Sequence, residues 1–368
     1  MSTWAAADLH EICRPKQWPT ISMQELTPDG YPVYGANGQI GFYTRFTHEF
    51  PTILITCRGA TCGTINLSAP KSYVTGNAMA LDALDTGRVD QRYLYWYLQW
   101  RRLDDVISGT AQPQITREGL RKVSVLLPSL TEQRRIADIL DRAEALRAKR
   151  RAALAQLDEL TRAVFSQMCG GNNNASPWAS DSLGNVTTLF GGASLPTGVP
   201  YKGQTGGYLL IKVSDMNTAG NEIFLESPKE WSSTPGPAAA TIPPGAIVIP
   251  KRGGAIGTNK KRLSSRPSVL DPNLMGIVPR LDRMIPEFLF QWFLDIDLLS
   301  IANGSSVPQL NKKDLEPLQI PVPPLPLQQE FARRVQAIDR LKVKHRQSLA
   351  EMDALFLSLQ HRAFRGEL

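Results

Sequence analysis

The sequence predicts an α+β chain of two globular domains, each followed by a long helix, with the second half repeating the first. Three observations carry this. The stretch from Leu127-Pro128-Ser129-Leu130-Thr131-Glu132-Gln133 to about Met168 reads as one helix, since no proline interrupts it before Pro177. A shift of 195 residues lays that stretch on a second one without a gap, Pro128 on Pro323, Leu130 on Leu325, Gln133 on Gln328, Leu154 on Leu349, Asp158 on Asp353, Leu160 on Leu355 and Gly171 on Gly366. The segments before each helix mix short β-branched runs and apolar helical runs without regular alternation, the pattern of an α+β domain.

Ser129 and Glu132 have capping-box spacing, so each side chain can satisfy an orphan amide of the first helical turn. Leu140, Ala143, Leu154, Leu157, Val164 and Met168 recur at steps of three and four, a coiled-coil seam expected to be interrupted by Arg147, Lys149, Arg150 and Arg151. Gly170-Gly171 is expected to end the helix. The second helix opens at Pro323-Pro324-Leu325-Pro326-Leu327-Gln328-Gln329 and runs to about Phe364. The repeat is far longer than a solenoid unit of roughly 20–50 residues, so it reads as a duplicated domain plus helix.

From about Leu9 to Val125 turn signals (Thr27-Pro28-Asp29-Gly30, Gly35-Ala36-Asn37-Gly38) separate short apolar runs. Thr52–Thr56 reads as a strand, Gln91–Arg102, with Tyr93, Tyr95, Trp96, Tyr97 and Trp100, as a buried helix, and Val123–Leu127 as a closing strand. Landmarks recur in the second half. Ile247–Thr258 echoes Ile53–Thr64, Phe288–Phe293 echoes Tyr93–Leu98, and Asn303–Gln309 echoes Ser108–Gln114. The expected boundaries are a globular region at 1–128, a helix at 129–170, a linker at 171–177, a second globular region at 178–322 and a second helix at 323–368. Between landmarks the halves diverge, as two readers of different targets would.

The 368 residues suffice for two or three domains, and 42% hydrophobic content rules against wholesale disorder. No apolar run approaches the roughly 18 residues of a membrane span, and the opening Met1-Ser2-Thr3-Trp4-Ala5 lacks the pattern of a signal peptide. Cys13, Cys57, Cys62 and Cys169 form no C-x-x-C pair and are expected to be buried or incidental thiols. The net charge of +7 is compatible with a nucleic-acid partner. No Gly-Lys dipeptide marks a P-loop, no Asp or Glu is followed two places on by Lys, and no Asn-Pro-Pro-Tyr or Asp-Pro-Pro-Tyr occurs. Phe190-Gly191-Gly192-Ala193-Ser194 lacks the last glycine of a cofactor loop, and His345 and His361 are expected on a solvated helix face.

This organisation resembles the specificity subunit of type I restriction-modification systems. The resemblance covers nearly the whole chain. It rests on the Leu-Pro-x-Leu-x-Glu-Gln opener at Leu127–Gln133, the strand-then-glycine segments at Arg58-Gly59-Ala60 and Arg252-Gly253-Gly254, the two Gly-x-x-x-Pro-Gln segments, and the closing Ala363-Phe364-Arg365-Gly366-Glu367-Leu368. Two departures are visible. Pro326 and Gln328-Gln329 stand where the first opener has Thr131 and Gln133-Arg134, and Cys169 stands where the second helix has Phe364, an exchange expected to loosen packing there. The resemblance implies two target-recognition domains, each reading half of a bipartite double-stranded DNA site. It also implies two antiparallel coiled-coil helices as spacer, in a pseudo-two-fold internal repeat. A cytoplasmic, non-catalytic subunit would bind two methyltransferase subunits, and restriction and motor subunits would join through them. S-adenosylmethionine, ATP and Mg would sit on those partners, with no cofactor in this chain.

Direct readout of bases needs paired donors and acceptors, such as Arg on guanine or Gln and Asn on adenine. Candidates on turn-rich segments are Arg58, Gln112 and Gln114 in the first half and Arg252, Asn259, Lys260, Lys261, Arg262, Gln309 and Asn311 in the second. Within these, Lys260-Lys261-Arg262 suits phosphate better than bases. Arg147, Lys149, Arg150, Arg151, Lys342, Lys344 and Arg346 suit spacer DNA, a solvated face or a methyltransferase surface equally. Two other readings stay open on the residues alone: the recognition subunit of another multisubunit modification enzyme, and a coiled-coil adaptor whose domains bind protein.

Overall fold

A computed structural model of the chain describes residues 4–36, 38–109, 112–169, 177–304 and 307–368. Residues 171–176 of the expected linker at 171–177, the glycine stop Gly170-Gly171 of the first helix and Asn37 of the second turn lie outside these residues. The chain divides into two compact units, Met1–Ala152 with Arg346–Leu368, and Ala153–His345. The division falls inside both long helices, Leu130–Met168 and Leu325–Ala363, each 39 residues.

In the first unit a four-stranded sheet carries Arg14–Gln17, Ala78–Asp82, Ile53–Thr56 and Ile65–Leu67 in that order, with antiparallel pairing throughout. The strand Ile53–Thr56 is fully buried, as its unbroken apolar run requires. A three-stranded sheet joins the hairpin Tyr31–Gly35 and Gly38–Tyr43 to Tyr73–Val74. Ala5–Asp8 pairs with the closing strand Ser124–Leu127, which delivers the chain into the first long helix. The second unit repeats the main sheet with Thr187–Gly191, Leu274–Pro279, Ile247–Pro250 and Arg262–Ser264, adding Phe224–Leu225 at the edge. Ser180–Ser182 pairs with Gln319–Pro321 as Ala5–Asp8 does with Ser124–Leu127. The units part company in the accessory sheet, which has five strands in the second unit where the first has three. Gly192 has a structural reason: a Cβ there would lie 1.7 Å from the Asp271 carbonyl oxygen.

Each unit builds its core around an aromatic helix and two long-helix segments. Asp90 caps Gln91–Arg101 by accepting from the Arg92 and Tyr93 amides. Tyr93 and Tyr97 pack edge-on against Phe364 with centroids 5.6 and 5.4 Å apart, and Trp96 against Phe356 at 5.4 Å. In the second unit Pro286–Leu294 takes this place, and Phe288, the counterpart of Tyr93, packs on Phe165 at 5.0 Å and Phe331 at 5.7 Å. The expected loosening at Cys169 is thus made good from within the same helix. Phe165, one turn earlier, supplies the aromatic ring that Phe364 supplies in the first unit, while Cys169 is half-buried with its thiol pushed up to about 11 by burial.

The seam is continuous where the sequence reading interrupts it. In the first helix Gln133, Ile136, Leu140, Ala143, Arg147, Arg150, Leu154, Leu157, Thr161, Val164 and Met168 are all buried or half-buried, at strict alternating steps of three and four. In the second, Gln328, Phe331, Val335, Ile338, Lys342, His345, Leu349, Met352, Phe356, Leu359 and Ala363 do the same. Arg147, Arg150, Lys342 and His345 are seam members, so His345 does not lie on a solvated face. Contacts run antiparallel within each unit: Arg135 with Leu368 and Arg147 with Asp353 in the first, Asp158 with Lys342 and Phe165 with Phe331 in the second. The first helix opens with half of the expected capping box. Ser129 Oγ accepts from the Glu132 amide at 3.3 Å, but the Glu132 carboxylate turns to Arg135.

Candidate functional site

Arg58 leaves the buried strand Ile53–Thr56 at its C-terminal end and is exposed. Its backbone is bridged to Gln114. The Gly59 amide donates to the Pro113 carbonyl at 3.1 Å, and the Ile115 amide to the Cys57 carbonyl at 3.0 Å. Gln114 is also clamped to Ser108 by two backbone bonds of 2.8 Å. Gly109 is required at the turn between them. It has φ +85°, and a Cβ there would meet the Gln112 carbonyl at 2.6 Å. Gln112 and Gln114 are both exposed.

The second unit builds the same cradle. Arg252 is bridged to Gln309, the Gly253 amide donates to the Pro308 carbonyl at 2.8 Å, the Leu310 amide to the Lys251 carbonyl at 3.0 Å, and Asn303 to Gln309 at 3.0 Å. Asn311 joins it, its side-chain oxygen accepting from Gln309 Nε2 at 3.1 Å while its amide donates to Asp314. In both units a sheet end thus bridges one exposed arginine through the backbone to a glutamine, which is exposed in the first unit and half-buried in the second.

Lys251 and Lys312 are not among the residues the sequence reading selects. The Lys251 ammonium is held below its usual range by burial first, then by the positive charges of Arg252 and Lys312. The signal was available at Lys251, immediately before Arg252 at the end of a buried strand. The counterpart of Lys251 in the first unit is Cys57, a buried thiol raised by desolvation. The two cradles therefore share backbone and differ in charge.

Other expected contacts fall elsewhere. Lys261 is 2% exposed, and its ammonium donates to Asn259 Oδ1 and the Ile296 carbonyl. A group so enclosed does not reach phosphate, which corrects the expectation for it. Asn259, at φ +52°, uses the same Oδ1 to accept from the Leu298 amide at 2.9 Å, and Arg262 is half-buried on the carbonyls of Lys261 and Met216. Lys260 is bonded to Asn217. On the long helices Lys342 is 5% exposed and Arg147 is drawn into the seam, so neither offers a free charge to DNA. Lys149, Arg151, Lys344 and Arg346 remain exposed, Arg151 paired with Glu144.

A helix opener links each cradle-bearing domain to its long helix. Gln133, fully buried, donates from Nε2 to the carbonyls of Arg88 and Pro128 at 3.0 and 2.9 Å and accepts at Oε1 from the Asp90 amide at 2.8 Å. Gln328 does the same with Arg283, Pro323 and Ile285 at 2.9, 2.8 and 2.9 Å. All three partners sit 195 residues on.

The family model for the type I restriction modification DNA specificity domain matches twice, at residues 1–156 and 176–352. The chain belongs to that family. Each match spans one cradle-bearing domain, so the chain is a specificity subunit with two target-recognition domains. It is 27% identical to the Escherichia coli type I restriction enzyme EcoDI specificity subunit, over 96% of this chain and 89% of the relative. Among solved structures, the specificity subunit of a type I system from M. genitalium superposes with a TM-score of 0.63 at 16% identity, covering 98% of this chain and 96% of the other. A chain from a structure of the assembly and conformational transition of a type I system gives 0.55 at 18% identity, covering 99% and 98%. Among the described residues of this specificity subunit, no helix is long and apolar enough to cross a membrane.

Proposed function

We propose that each target-recognition domain reads one half of a bipartite double-stranded DNA site through its arginine–glutamine cradle. The observation that carries this is the repeated geometry of Arg58 with Gln114 and of Arg252 with Gln309. Guanidinium and amide are the two side-chain groups that pair bidentately with guanine and adenine in the major groove. Gln112 and Asn311 stand beside them as further readers, while Lys251, Lys260 and Lys312 suit phosphate. The long helices act as the spacer and dock two methyltransferase subunits, through which restriction and motor subunits join. The chain itself does no chemistry and works in the cytoplasm; S-adenosylmethionine, ATP and Mg belong to the partners.

The test exchanges residues 178–322 for the equivalent domain of a relative and maps methylated bases in cells expressing the cognate methyltransferase. One half of the modified site changes and the other stays. A change in both halves, or in neither, would overturn independent reading.

A further inference from the structure

The sequence holds two Asn-Gly pairs, Asn37-Gly38 and Asn303-Gly304, and the second lies on a loop of the second cradle. Asn303 and Gly304 are both exposed. Their counterparts in the first cradle are Ser108 and Gly109. Gly109 is fixed by its φ of +85° and by the Gln112 carbonyl that a Cβ would strike. Gly304 has neither reason to be glycine. Its φ is not positive, and among the described residues no atom lies within 4 Å of the place a Cβ would take. Its amide makes no hydrogen bond among the described residues. Asparagine is a chemically labile side chain, and a glycine after it, lacking a Cβ, leaves the following amide nitrogen unshielded.

We infer that Asn303-Gly304 is a self-modification site, where spontaneous deamidation disables the second cradle and spares the first. The Gly304 amide nitrogen gives its proton to solvent base and attacks the Asn303 side-chain carbonyl carbon. A C–N bond forms there, the bond to the side-chain nitrogen breaks, and ammonia leaves with a proton from water. Water then opens the cyclic imide at either carbonyl, giving aspartate or isoaspartate. The starting amide has a place in the cradle. Asn303 Nδ2 donates to Asp314 Oδ2 at 3.1 Å, and the same oxygen accepts from the Asn311 amide at 2.7 Å. In either product a carboxylate replaces that donor and faces Asp314, and like charges so close repel. Asp314 is thereby driven off the Asn311 amide, and Asn311 is what holds Gln309 Nε2 at 3.1 Å. Isoaspartate also adds a carbon to the main chain, between the backbone bridges that tie Asn303 and Arg252 to Gln309. Ser108, whose Oγ donates to the Gln114 carbonyl at 3.2 Å, has no amide to lose.

The chemistry stands on the loop alone; the loss of base reading rests on the proposed function. The test holds the full chain, with its cognate methyltransferase, at pH 9 and samples it over time. Peptide mass spectrometry finds Asn303 converted to aspartate and isoaspartate, with Asn37 read on a separate peptide. Gly304→Ala, which the open space admits, slows the conversion by shielding the amide nitrogen. Hydrogen exchange of the amides from Asn311 to Leu315 accelerates in step with the converted fraction, and it is fast from the start in Asn303→Asp. Affinity for duplex DNA carrying the mapped site falls roughly 10-fold or more in the converted complex, the scale of losing readout at one base pair. The discrimination that remains is confined to the half-site read by the first domain. Asn303 left intact over a period in which the urea-unfolded chain converts would overturn the inference. So would conversion that leaves the exchange at Asn311–Leu315 unchanged, or a converted complex that keeps the affinity of the fresh one. A fresh complex that binds no DNA would fail the functional reading alone, since mass and exchange decide the modification without DNA.

Discussion

Arg147 Nε donates to Asp353 Oδ1 at 2.7 Å, and 195 residues on from Arg147, Lys342 Nζ donates to Asp158 Oδ1 at 2.8 Å. The two pairs are the same interaction with helices exchanged. Each cation also reaches an acid three residues back on its own helix, Glu144 or Asp339. The fourth member differs: the Arg147 guanidinium lies 4.3 Å over the Phe356 ring, whereas Lys342 bonds Thr161, the counterpart of Phe356. A planar cation stacks on an aromatic face and a compact ammonium takes a hydroxyl, so each site is matched to its own cation.

The stability consequence is asymmetric. Lys342 is 5% exposed, while the Asp158 side chain is 57% exposed. Removing the acid leaves an ammonium in the seam with weaker compensation from Asp339 at 3.7 Å. Removing the lysine leaves carboxylates that water can solvate. Asp158→Ala is therefore expected to cost about 1–3 kcal/mol, and Lys342→Met to lie within about 1 kcal/mol of wild type. Urea unfolding of the two variants decides the order; a costlier Lys342→Met would show that the pair, and not the isolated charge, governs the seam.

Gln328 gives a second ordering. Its amide donates to two carbonyls and accepts one backbone amide, all out of water. Gln328→Leu strands those three groups and is expected to cost about 2–4 kcal/mol. Gln328→Glu keeps the acceptor but aims carboxylate oxygens at the Arg283 and Pro323 carbonyls, so at pH 8 it costs more. A protonated carboxyl can donate to one of them, so the gap between Glu and Leu variants narrows as pH falls. Equal melting temperatures for the two variants at pH 8 would contradict this.

Lys261 titrates at about 8 instead of 10.5, because burial disfavours its charged form more than Asp297 and Asp295 favour it. Between those values the unfolded chain holds a proton that the folded chain has released. Stability contributed by this group therefore rises with pH across roughly 8 to 10.5 and is flat below 8. Lys261→Met is expected to remove that rise. Differential unfolding of wild type and variant at pH 7, 8, 9 and 10 isolates it from the cysteines and tyrosines, which both proteins share; parallel curves would refute the assignment.

What the sequence made legible follows from the physics of each feature. Thirty-nine-residue helices with a period near 3.5 announce themselves, and a gapless repeat confirms them. The accessory sheet of the second unit does not, because strands such as Val199–Pro200 and Thr241–Ile242 are two residues long and have no period to read. Arg147 and Lys342 look like breaks in a seam because their charged ends count as polar. Their long stems are what the seam packs, and one of the two acids that hold each comes from the other helix. Lys261 reads as surface charge because the carbonyl that holds it belongs to Ile296, 35 residues away. At the cradle the sequence supplied both members, Arg58 with Gln114 and Arg252 with Gln309, but their pairing depends on a strand end and a loop meeting across more than fifty residues.

If the cradles read bases, Arg58→Ala and Arg252→Ala each relax the requirement at one position of a different half-site, by about 1–3 kcal/mol of discrimination. Lys312→Ala instead weakens binding evenly across sequences and reduces the salt slope by about one. Competition binding with single-base variants of the site, at several salt concentrations, separates these outcomes. Identical, sequence-independent losses for all three variants would assign the arginines to phosphate.

The spacer role makes a length prediction, and the continuous seam dictates how to test it. Seven residues inserted near Ala152 and seven near Gln347 preserve the alternation of three and four in both helices. At 1.5 Å per residue each helix lengthens by roughly 10 Å, about three base pairs at 3.4 Å each. The methylated motif is expected to keep both half-sites and gain about three base pairs between them. An insertion of four residues in each helix lengthens the pair by about 6 Å but adds a local unwinding of the seam. It should shift the gap by one to two base pairs at some cost in stability. Insertion into one helix alone puts Arg147 out of register with Asp353, or Lys342 with Asp158, and exposes the seam. That variant should fail to assemble with the methyltransferase. Mapping methylated bases after co-expression reads all three. A paired seven-residue insertion that assembles yet leaves the gap unchanged would show that some element other than these helices sets the distance between half-sites.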